Sequence, residues 1–135
     1  MKINVLKTTS LAALIALTLA CGYGSKNYPP VAGTMPAISQ LNPDSATAGG
    51  DAFTLTVNGS NFGTKAVVNW NGAAQTSATT YVSGNQLSVA IPSGMIAASG
   101  TVQITVTNPG TPGTGMYGSG GTLAETSAPM TFTIN

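Results

Sequence analysis

The chain has 135 residues, a formal net charge of +1, 42% hydrophobic but only 5% charged residues, and a single cysteine. That length holds one domain and a short appendage. With no arginine and so few lysines, it lacks the basic clusters that grip nucleic-acid phosphates. A lone cysteine rules out an internal disulfide.

In chain order, the first segment has Lys2 and Lys7, then an uncharged apolar run from Leu11 to Ala20, then Cys21-Gly22. A basic start, a short apolar middle and a small residue before a cut form the layout of a secretory signal. The run is ten residues long, half of the roughly 20 that a membrane span needs. A permanent span, or a plain cleaved signal with an incidental cysteine, are the weaker readings.

A cysteine directly after the small residue makes Leu17 to Cys21 resemble a bacterial lipoprotein signal, although Thr18 stands where that family most often has leucine. The resemblance implies removal of residues 1–20, a diacylglycerol on the Cys21 thiol, and a membrane as partner through that anchor. It places the protein in the bacterial cell envelope. Gly22, rather than aspartate, favours the outer membrane where there is one.

Residues 21–35 read as the lipidated cysteine and a flexible tether. They hold Gly, Ser, Asn and Tyr28-Pro29-Pro30 with no apolar periodicity. From 36 to 135 the pattern turns to period two. Apolar residues alternate with polar or small ones in 53–57, 87–91, 102–106 and 130–134, the signature of half-buried strands. Three more strands are expected at 37–41, 66–70 and 79–82, and one short helical turn at 95–98. Asn71-Gly72 suits a tight hairpin because both residues tolerate positive φ. Asn58-Gly59-Ser60, formally a glycosylation sequon, reads as a turn.

About seven short strands with regular turns argue an all-β fold, an immunoglobulin-like β-sandwich. Without a disulfide its core must rest on packing. Trp70 is the expected centre, with Phe53, Phe62 and Phe132 also inside and Tyr81 left at the surface.

The motifs Pro36-Ala37-Ile38, Leu41-Asn42-Pro43, Gly59-Ser60-Asn61-Phe62-Gly63, Asn69-Trp70-Asn71-Gly72 and Thr107-Asn108-Pro109 resemble the IPT/TIG domain, the immunoglobulin-like module of plexins and transcription factors. The resemblance covers 36–135. It implies an early-set immunoglobulin sandwich and a binding or structural role without catalysis. The departure lies at Asn108–Pro129, where 22 residues with six glycines between Gly110 and Gly121 replace a short turn. Loops this long are functional or disordered. The glycines favour disorder, because they raise the ordering cost. Met116 and Tyr117 favour a binding loop, one adaptable side chain beside one aromatic.

Catalytic chemistry is poorly supplied. There is no histidine, hence no Ser-His-Asp or Cys-His pair, and zinc lacks ligands. The acids are Asp44, Asp51 and Glu125. Asp44 and Asp51 sit in turn-rich stretches, where aspartate caps its own backbone, and two carboxylates are few for calcium. No cofactor and no metal are expected, and the chain reads as no enzyme. The expected function is a lipid-anchored, noncatalytic binding or assembly module of the envelope, whose partner, an envelope protein or a glycan, the sequence does not identify. The alternatives are a structural spacer without a specific ligand, and a glycan-binding accessory module, which the scarcity of spare aromatics weakens.

Overall fold

The computed structural model describes residues 29–114 and 120–135. Among the described residues, ten strands form two sheets. The first sheet has the order β1 (Ala37–Asn42), β3 (Phe53–Ser60), β7 (Gln86–Ile91), β6 (Thr79–Ser83). The second has the order β2 (Ser45–Ala46), β10 (Met130–Ile134), β8 (Gly100–Asn108), β4 (Val67–Trp70), β5 (Ala73–Ala74), with β9 (Glu125–Thr126) also on β8. All neighbours are antiparallel except β2 and β10. Apart from the short added strands, this is the ABED and CFG division of an immunoglobulin sandwich.

All seven expected strands are present. Period-two alternation does its work on β3, β7, β8 and β10. Leu55, Val57, Leu87, Val89, Ile104, Val106 and Phe132 are fully buried. Their intervening residues, largely threonine, serine and glutamine, face outward. Asn71 at φ 48° and Gly72 at φ 85° make the two-residue turn that pairs Trp70 with Ala73, in the doubly positive conformation that twists with its strands. The short helical turn falls at Ser93–Ile96 and seats Ile96 in the core.

Phe132 is the aromatic centre. Its ring stacks on Phe53 at 5.8 Å and 12° on one side, and meets Trp70 at 5.3 Å and 52° on the other. Trp70 is buried in the core as expected, but it flanks Phe132 and is not the centre of the trio. Tyr81 is at the surface, whereas Phe53 is only partly buried.

Two expectations change. Asn58–Ser60 is not a turn but the end of β3, and Asn58 Oδ1 accepts a hydrogen bond from Gln86 Nε2 at 3.0 Å. The tether expected to run to residue 35 is docked at its C-terminal end. Val31 N–H donates to Gly121 O at 3.1 Å, and Leu123 N–H donates to Val31 O at 2.9 Å. Ordered backbone therefore begins before residue 36.

Candidate functional site

β3 runs out at Ser60, and the chain turns through Asn61 at φ 60°. Phe62 then drops into the core, its N–H donating to Gly84 O at 2.9 Å. Gly63 to Ala66 closes a turn by an Ala66 N–H to Gly63 O bond of 2.9 Å, and Lys65 is exposed on it. This β3–β4 loop lies at the same end of the sandwich as the last residue of β8, Asn108.

The Asn108 amide joins three segments. Its Oδ1 accepts from Gly63 N–H at 2.9 Å. Its Nδ2 donates to Thr34 O and to Asn61 O, both at 2.8 Å. An amide can make few more bonds than that, so one side chain fixes the β3–β4 loop, the end of β8 and the lead segment.

Beyond Asn108 the long loop is folded over its described parts. Thr111 and Thr122 exchange backbone bonds of 3.1 and 3.0 Å, with their hydroxyls 2.9 Å apart. Thr122 also bridges to Val31, so residues 31, 122 and 111 lie side by side as a small sheet. A Cβ on Gly33 would collide with Leu123 O, and one on Gly110 with Thr122 O. These glycines serve close backbone approach, where sequence suggested freedom. β9 then pairs Thr107 with Thr126 and Asn108 with Glu125, and Ser127 is buried. The excursion expected to be disordered is thus ordered in those parts.

These segments enclose an open cleft of about 720 Å³. Its lining comes from three segments: Thr34 of the lead segment, Asn61 to Lys65 of the β3–β4 loop, and Asn108 to Pro112 with Thr122 of the long loop. Phe62 supplies apolar wall. Threonine hydroxyls and glycine backbone supply hydrogen-bonding groups, and Lys65 is the only cation among the described residues. No carboxylate lines the cleft. It can hold a polar group by hydrogen bonds and favours a negative or neutral one. It offers no nucleophile with a base beside it.

Among the described residues no cluster of three or more metal-ligating side chains occurs, and no helix is long and apolar enough to cross a membrane. Asp44 and Asp51 lie at the opposite end, beside the starts of β2 and β3. Asp44 Oδ1 accepts from Ser45 Oγ at 3.1 Å. Cys21, Met116 and Tyr117 lie outside the described residues. In the sequence Met116 and Tyr117 belong to the link between Thr114 and Gly120. Asn108 and Thr34 went unassigned from sequence; the Asn-Pro step ending a strand pattern was their one local sign.

No curated protein and no solved structure matches the chain significantly. Residues 36–133 match the model of the IPT/TIG domain, whose members are immunoglobulin-like and generally noncatalytic. The two-sheet sandwich with its β3–β4 and β8–β9 loops at one end is that architecture, and the chain belongs to the IPT/TIG family.

Proposed function

We propose that this protein is a lipid-anchored, noncatalytic binding module of the bacterial cell envelope, held through Cys21 and engaging an envelope protein at the cleft end of its sandwich. The observation that carries the reading is the Asn108 amide. It holds three chain segments around a cleft of about 720 Å³. Immunoglobulin-type sandwiches bind with the loops at this end, and preformed clefts with a few placed polar groups are where ligands bind. Met116 and Tyr117, within the loop that forms one wall, are proposed to extend the contact.

The anchor reading is supported by the order Lys7, apolar run, Ala20, Cys21. Gly22 after the cysteine supports the outer membrane. A glycan ligand has less support. Sugar rings stack on exposed aromatics, and among the described residues only Tyr81 is exposed, on β6 and away from the cleft lining.

A photo-crosslinking residue at Thr64, in the full chain in its own membranes, tests this. A discrete adduct is expected from position 64 and not from Thr54 on the outer sheet face. Lys65→Glu should weaken the adduct. Equal diffuse labelling at both positions would leave a spacer without a specific ligand.

A further inference from the structure

Among the described residues, the large hydrophobic side chains that the sandwich leaves at its surface are not scattered. Val31 is 61% exposed, Met35 60% and Leu123 52%. Val31 and Leu123 are hydrogen-bonded neighbours, and Met35 O accepts from Asn61 Nδ2 at 3.4 Å. All three therefore sit around the cleft end. The other two, Tyr81 and Val82, are on the half of β6 that runs toward that end, since Ser83 pairs with Gln86 and Gln86 with Asn58 near the end of β3.

Charge is divided along the same axis. The cleft end carries Lys65 and Glu125, one positive and one negative. The opposite end carries Asp44 and Asp51: Thr133 N–H donates to Asp44 O near the end of β10, and Asp51 precedes β3. Among the described residues, one end has balanced charge and three exposed apolar side chains, and the other has two negative charges.

The lead segment adds a third observation. It joins the fold at Val31, at the cleft end. Val31 is ten steps along the chain from Cys21, a reach of at most about 36 Å even fully extended. The opposite end is a further strand length away, roughly 30 Å for the nine residues of β8.

We infer that the cleft end is the face this domain lays on a lipid bilayer, with Val31, Met35 and Leu123 at the headgroup boundary and the Asp44–Asp51 end pointing away. Apolar side chains gain by entering that boundary. Anionic headgroups repel the two aspartates and leave the neutral end unopposed. The inference takes its reach from the Cys21 anchor but its chemistry from the surface itself. It also restricts partners of the cleft to groups at membrane level.

The test uses the full chain with one added cysteine, Leu123→Cys or Asp51→Cys, labelled with an environment-sensitive fluorophore. The chain is reconstituted with vesicles of phosphatidylethanolamine and phosphatidylglycerol that contain brominated lipid. Any label on Cys21 is common to both variants and cancels in the comparison. Acylation is read separately from incorporation of a labelled fatty acid. Quenching at position 123 is expected to exceed that at position 51 by about twofold or more, as for groups seated a few ångströms into the interface. An acylated chain that floats with the vesicles but is quenched equally at both positions overturns the membrane-facing surface and keeps the anchor. A chain that is not acylated yet shows the difference keeps the surface and overturns the anchor. A chain that neither incorporates the fatty acid nor floats overturns both.

Discussion

Ser127 and Val106 bond twice across the edge of β8: Ser127 N–H donates to Val106 O at 2.8 Å, and Val106 N–H donates to Ser127 Oγ at 2.9 Å. The hydroxyl takes the place of a backbone carbonyl where the ladder breaks between β9 and β10. It also donates to Ala128 O at 2.9 Å. Ser127→Ala keeps the backbone bond but leaves the buried Val106 N–H without an acceptor. A buried donor left unpaired costs about 1–3 kcal/mol. A urea melt should show that loss, and Ser127→Thr should recover part of it.

The aromatic trio gives a second prediction. Phe132 is fully buried between Phe53 and Trp70. Phe132→Ala and Trp70→Ala should each cost about 3–5 kcal/mol. With no disulfide to hold the sheets, that is a large share of the roughly 5–15 kcal/mol of a typical domain. Tyr81→Ala, at an exposed edge, should stay within about 0.5 kcal/mol, as surface changes do. Equal losses at Tyr81 and Trp70 in chemical denaturation would contradict the placement of the core.

The strands were legible because their cause is local. A buried face every second residue writes itself into 53–57, 87–91, 102–106 and 130–134, and Asn71-Gly72 names its own turn. The two-residue strands β2, β5 and β9 are too short to carry a period. The docking of Val31 on Thr122 was invisible for a different reason. It joins segments far apart in the chain, and nothing in either announces the other. Gly33 and Gly110 misled because glycine has two uses. It frees a backbone, and it lets two backbones approach closely. Composition cannot separate these, and the contacts with Leu123 O and Thr122 O do.

The anchor is tested at Cys21. Cys21→Ser should abolish incorporation of a labelled fatty acid and leave the chain uncleaved or released from membranes. Several acyl chains at about 0.8 kcal/mol per buried CH₂ hold a protein far more firmly than one chain can. Membrane fractionation of the variant beside the parent reads this, and unchanged labelling in the variant would refute lipidation at this residue.

The cleft walls are tested at Asn108. Asn108→Ala removes bonds to Gly63, Thr34 and Asn61 at once. The core should stay formed, because Asn108 lies at its edge. The cost should be about 1–3 kcal/mol, within the range for several partly exposed hydrogen bonds. Amide hydrogen exchange should speed at Gly63, whose N–H loses its acceptor, and stay slow at Leu55 and Val89 in the core. Unchanged exchange at Gly63 would mean that the loop is held by something other than this side chain.

The part played by Met116 and Tyr117 needs a cut that spares the fold. Excising 111–127 would delete β9, the Thr111–Thr122 pair and buried Ser127, so loss of binding would say nothing about the two side chains. Replacing only 113–120 with a short Gly-Ser turn keeps Thr111, Thr122 and everything after them. Shortening a surface loop carries little closure cost, and the urea midpoint should move by less than about 0.5 kcal/mol equivalent. Under the proposed function the Thr64 adduct should then fall, because an aromatic with few rotatable bonds supplies contact area at low entropy cost. If the shortened chain is stable and the adduct is undiminished, Met116 and Tyr117 are not part of the contact and the cleft walls alone carry it.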